Sequence, residues 1–145
     1  MRRIKLIVAM LAAVFAGTTR LVAQERNYVV IVHESNVLTG LSTDELARLF
    51  MRKTVRWTTG QTVTPVDLAE TSAARASFSQ DVHHKSAGEV KSYWQSVMSG
   101  GRGIPPMEAP SEAAVVQFVR TNPGAIAYVS AGTVLGPGVR VVRVH

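Results

Sequence analysis

Glu70, Thr71, Ser72 and Ala73 set a carboxylate, two hydroxyls and a small side chain where an apolar stretch gives way to a helical repeat. Hydroxyls at the start of a helix suit an oxyanion, because the first N–H groups lack intrahelical partners and the helix dipole favours negative charge there. Glu70 would repel a dianion and accept the proton of a monoprotonated one. The same residues have a plainer use, with Thr71 and Ser72 as N-caps and Glu70 as a first-turn acid. Ser35 and Asn36 form a second candidate pair after an apolar strand, at a carboxyl end where open α/β sheets bind ligands. Both are also ordinary turn residues. Gly100, Gly101, Arg102 and Gly103 either wrap an anion with backbone N–H groups or stop a helix.

Catalysis has less to build on. His83 and His84 are adjacent, so on a helix they point about 100° apart and cannot chelate one metal as an i, i+4 pair does. With Asp81 nearby, the most they offer is a weak surface metal site. His33 reads as a hydrogen-bonded loop residue. The chain has no Cys, which removes a thiol nucleophile, a Cys-ligated zinc site and a disulfide scaffold. It also has no G-x-S-x-G elbow, and no paired-carboxylate constellation stands out. The expectation is a protein that is not an enzyme, with no metal and no cofactor.

The elements that must position these residues follow from periodicity. Tyr28 to Val32 is a continuous apolar run, expected as a strand covered on both faces in a parallel sheet. Ser42 with Glu45 makes a capping box, and Leu46, Leu49 and Phe50 give the face of a helix over about 43–52. Arg48, Arg52 and Lys53 lie off that face, as a solvated basic flank or an anion-binding patch. A short strand is expected over 62–67, where Pro65 argues for an edge or a strand end. Ala74, Phe78 and Val82 predict a helix over about 71–82. Ser86 with Glu89 caps the next helix, whose buried stripe is read as Val90, Tyr93, Trp94, Val97 and Met98. A helix capped by Ser111 and strands at 125–129 and 139–144 complete an α/β unit.

The chain has 145 residues and a net charge of +6, with 46% hydrophobic and 6% aromatic residues. Residues 1–23 read as a signal peptide: Arg2, Arg3 and Lys5 precede an apolar stretch from Leu6 to Gly17, and Ala23 offers a cleavage point before Gln24, with Ala16 as a second. That leader carries four cations and no acid, so residues 24–145 hold only +2. With the charge in the leader and few aromatics, a nucleic-acid partner is not expected. A single exported, soluble domain over 24–145, without membrane insertion after cleavage, is.

Two runs carry a family likeness. One is Leu46-Ala47-Arg48-Leu49-Phe50-Met51-Arg52-Lys53 with Trp57 shortly after, and the other is Asn122-Pro123-Gly124-Ala125-Ile126-Ala127-Tyr128-Val129. In order and spacing they resemble the second half of the phosphate ABC transporter substrate-binding proteins, members of the type 2 periplasmic-binding fold. The likeness extends over most of residues 28–132, and the first lobe of the family has no counterpart. It implies a three-layer α/β single lobe that binds phosphate or another small oxyanion weakly. Its implied partners are an ABC permease or another protein, or a second copy of the chain.

In the family, a pattern R-x-[DE]-G-S-G-T-x-x-x-F opens the ligand-binding helix. Glu70, Ser72 and Phe78 match it, while Leu68 replaces the arginine, Thr71 and Ala73 the glycines, and Ala74 the threonine. The implied ligand set is Glu70, Thr71, Ser72 and Ala73, while Ser35 and Asn36 stay candidates by their place after the first strand. Loss of the arginine removes a charge-assisted contact of about 1.5–3 kcal/mol. The alternative is therefore a module that binds no small ligand and docks a partner protein through the former cleft face.

Overall fold

The YVVIV run does form a strand, β1 (Tyr28–His33), but its neighbours run the other way. The structure is a computed structural model describing residues 25–145, so the leader read at 1–23 lies outside the described residues. The described residues form one sheet of six strands, β1, β2 (Gly40–Leu41), β3 (Thr64–Leu68), β4 (Met107–Ala109), β5 (Ala125–Ser130) and β6 (Val139–Val144), in the order β2-β6-β1-β5-β3-β4. The helices are α1 (Thr43–Phe50), α2 (Ala73–Phe78) with a π-helical turn Ser79–His83 continuing it, α3 (Ala87–Ser99) and α4 (Glu112–Thr121).

The sheet is mixed. β3 runs parallel to β5 and β4, whereas β1 is antiparallel to both β5 and β6. The parallel setting expected for β1 is thus corrected. An unbroken apolar run records burial on both faces, not hydrogen-bond direction, and a central antiparallel strand under two helical layers meets the same demand. Val30, Ile31 and Val32 are all fully buried. On one face Phe78 of α2 stacks on Tyr128 at 3.8 Å, meets Tyr28 edge-on at 5.3 Å and lies 4.7 Å from Phe50 of α1. On the other, α4 packs on β1 and β5 through Val115 and Val119. These are the three layers of the expected α/β class.

Pro65 is in the sheet interior and not at an edge, yet it fits a strand end. Thr64 N–H bonds to Gly124 O on the β5 side at 2.9 Å, so alternation turns the Pro65 nitrogen towards β4. Pairing with β4 starts only at Val66, and no ladder bond is lost.

Both capping boxes form, with Ser42 N–H donating to Glu45 at 2.7 Å and Ser86 N–H to Glu89 at 3.2 Å. α1 stops at Phe50, because Met51 caps it and Arg52 turns to a φ of 56°. The helix expected over 71–82 is α2 plus the π turn, which closes on His84 at a φ of 54°. Ala74, Phe78 and Val82 are buried as predicted. The stripe of α3 is narrower than its sequence suggests: Val90, Trp94 and Val97 are buried against Met51, whereas Tyr93 and Met98 are 41% and 46% exposed. A helix resting on one satellite cluster buries only its central row, so the flanking positions face water.

Candidate functional site

The polarity of β1 decides where the candidate residues go. Val32 pairs with Ile126 and Tyr28 with Ser130, so the carboxyl end of β1 lies beside the start of β5. β3 runs with β5, Thr64 opposite Ala125. Ser35 and Asn36 therefore sit at the end of the sheet where β3 and β5 begin, and Glu70, Thr71, Ser72 and Ala73 at the end where β3 finishes. The six candidate residues form two groups at opposite ends of the sheet. Both groups follow the carboxyl end of a strand, but the two strands point opposite ways.

At the β3 carboxyl end, Ser72 is the N-cap of α2 and its hydroxyl oxygen accepts the Arg75 N–H at 3.3 Å. Ser72 N–H closes a turn on Ala69 O at 2.9 Å. Thr71 and Ala73 are exposed. Glu70 is tied to Lys91 of α3 by a 3.0 Å ion pair. Below them lies a network that residue types did not announce. The Arg75 guanidinium is 3% exposed, donates to Leu68 O at 2.6 Å and to Glu108 at 3.3 Å, and has Asp67 at 3.8 Å. Tyr128 donates its hydroxyl to Asp67 at 2.7 Å. Burial pushes the Asp67 carboxyl above its usual range, and the Arg75 cation and the Tyr128 bond pull it back only in part. Burial, then the Asp67 charge, raises the Tyr128 phenol.

Arg75 thus places a cation beside Leu68, the position where the family pattern has its arginine. The trace of this in the sequence is Asp67, a charge inside the apolar run of β3. Three carboxylates, Asp67, Glu70 and Glu108, share this end with the paired cations Arg75 and Lys91.

At the other end, Asn36 Oδ1 accepts the Leu38 N–H at 2.9 Å, and Ser35 Oγ lies 2.7 Å from His33 Nδ1. Arg140 of β6 donates to the carbonyls of Asn36 and Leu38, which holds the loop on the sheet. Ser35 and Asn36 line a cleft of about 530 Å³ bounded by residues 35–39, α1 and the segment 54–61. Trp57 borders it, its indole N–H donating to Gly124 O at 3.0 Å. That bond joins the two sequence runs that carry the family likeness. Gly124 is needed there, because a Cβ would press into the Thr62 carbonyl oxygen.

The remaining candidates fall into structural places. The N–H groups of Gly100, Gly101 and Arg102 donate to Ser96, Met98 and Val97 carbonyls, which makes that glycine run the stop of α3. His83 packs edge-on against Phe78 at 5.7 Å, while His84 is exposed. Burial, then the Arg75 cation, lowers His83 to about 4.

No family model matches the sequence, and no curated protein matches it. Solved structures do. An ABC-type phosphate transport receptor from Vibrio cholerae superposes with a TM-score of 0.64 at 17% identity, over 81% of this chain and 46% of that one. A putative phosphate ABC transporter substrate-binding protein with bound phosphate from Clostridium perfringens gives 0.64 at 18% identity, over 81% and 44%. A possible phosphate binding protein from Planctomyces limnophilus gives 0.62 at 12% identity, over 82% and 41%. The chain spans less than half the length of each of these proteins. It therefore has the α/β fold of the phosphate ABC transporter substrate-binding proteins, over one lobe's worth of their length.

Proposed function

We propose that the chain is a substrate-binding-protein-like module that takes phosphate or a related small oxyanion weakly at the β3 carboxyl end. The observation that carries this reading is the Ser72 hydroxyl. Its oxygen accepts from Arg75 N–H, so its proton is free to donate, beside the N–H groups that open α2. Glu70, ion-paired with Lys91, would accept a hydrogen bond from a monoprotonated ligand. The site is open to water, where charge-assisted bonds lose much of their strength, so micromolar to millimolar affinity is expected. Titration calorimetry with phosphate, sulfate and simple carboxylates tests it. Ser72→Ala and Glu70→Gln should each weaken the heat of oxyanion binding, and binding untouched by either change would refute the placement.

A second reading has its own support: both cations at this end are ion-paired within the chain. A module that binds no small ligand and docks a permease, another protein or a second copy through this face fits that pairing. Absence of oxyanion binding at millimolar concentration selects it. We also propose that the chain is exported, its leader removed near Gln24, and works in the periplasm or outside the cell. No helix among the described residues is long and apolar enough to cross a membrane. Mass spectrometry of protein from the producing cell should show a chain starting near Gln24; an intact Met1 would overturn the export reading.

A further inference from the structure

We infer that the cleft beside Trp57 is a second binding site, for a small amphiphilic anion made of an aromatic or aliphatic body and one carboxylate or sulfonate. It lies at the opposite end of the sheet from Ser72 and does not depend on the oxyanion reading. Its volume, about 530 Å³, is in the range of small-molecule sites. Its apolar floor is made by Leu41 and Leu49, both at most 5% exposed, with the half-buried Leu38 and Trp57 beside them. The indole is a fixed wall, because its N–H is already bonded to Gly124 O.

The charge on the rim selects the sign of the ligand. Arg48 and Arg56 line the cleft, and neither takes part in an ion pair among the described residues. Arg56 gives one N–H to Gly60 O at 3.0 Å, which leaves the rest of its guanidinium available. Glu45 is the acid of the lining, and it is held by Ser42 in the capping box at 2.7 Å. An apolar floor under two unpaired guanidinium groups fits a ligand that buries a ring and leaves its anionic end at the mouth. A bare inorganic oxyanion would leave the floor unfilled. A neutral ring would leave the cations unused.

Amide-resolved NMR titration with 2-naphthoate and its neutral analogue 2-naphthamide tests this. The naphthoate should move the amides of residues 36–39 and 54–61 and the Trp57 indole N–H, with a dissociation constant below about 1 mM. The naphthamide should bind at least about tenfold more weakly. The double variant Arg48→Gln, Arg56→Gln exchanges two exposed side chains, so its spectrum should keep its dispersion. It should lower naphthoate affinity about tenfold and leave naphthamide unchanged. Leu38→Glu, which puts an acid on the floor, should weaken both probes. Equal affinity for the two probes, shifts centred away from these segments, or a double variant that binds naphthoate as well as the parent would each overturn the assignment.

Discussion

Where β5 begins, the fastening runs through backbone carbonyls and, among the described residues, no ion pair: Trp57 is bonded to Gly124 O, Asn122 donates to Phe118 O at 2.8 Å, and Arg140 donates to the Asn36 and Leu38 carbonyls. Where β3 finishes, charges do it, with Arg75 held between Asp67, Glu108 and Leu68 O, and Glu70 against Lys91. The residues with the strongest family likeness belong to the first end, and they bind one another. Likeness there reports the fold. The ligand pattern of the family falls at the second end, where it is altered and where the chain supplies its own counter-charges.

Removing Arg75 should break the comparison most. Arg75→Met leaves the buried Asp67 without its cation and Leu68 O without its donor, a loss of about 3–5 kcal/mol in chemical denaturation. Asp67→Asn in the same chain should recover part of it. A loss under about 1 kcal/mol would mean that water screens the network. At the other end, Gly124→Ala forces the Thr62 carbonyl away and should cost about 1–3 kcal/mol, with a weakened Trp57 bond seen as an indole N–H shift.

A pH titration sharpens the contrast, because the charged end should respond to acid. His83 is held neutral in the fold down to about 4, against an ordinary value of 6.5. Between those values the unfolded chain binds more protons, so stability is full above about 6.5 and is lost as the pH falls towards about 4. His83→Gln should flatten that slope in thermal melts, and an unchanged slope would assign the effect to another group. The smallest effect belongs to Glu108→Gln. Its carboxylate is half exposed, so the Arg75 contact should contribute less than about 1 kcal/mol. If phosphate binds at this end, the same change should strengthen it by removing a like charge, and unchanged affinity would place the ligand elsewhere.

What could be read from sequence was local or periodic. The Ser42/Glu45 and Ser86/Glu89 boxes lie within one turn, and the strands expected at 125–129 and 139–144 form at 125–130 and 139–144. The direction of β1 was not legible, because residue types record burial and not which carbonyl a strand faces. The π turn was hidden because Ala74, Phe78 and Val82 keep a helical spacing through it. β2 and β4 are two and three residues long, too short for a pattern. Ser72 was legible as a cap by its type alone. The partners that close the site, Arg75 with Glu108 and Glu70 with Lys91, meet only through the fold.

The antiparallel setting of β1 also dictates the order in which the chain acquires its structure. The two hydrogen-bonding partners of β1, namely β5 and β6, come after the other described strands in the sequence. A nascent chain that has reached α4 therefore leaves β1 with two open edges, and its native pairing must wait for residues 125–144 to emerge. Such long-range closure makes for slow folding, with the YVVIV segment exposed in the interval. In a chain built this way, β1 completes its native pairing only once residues 125–144 are available to it.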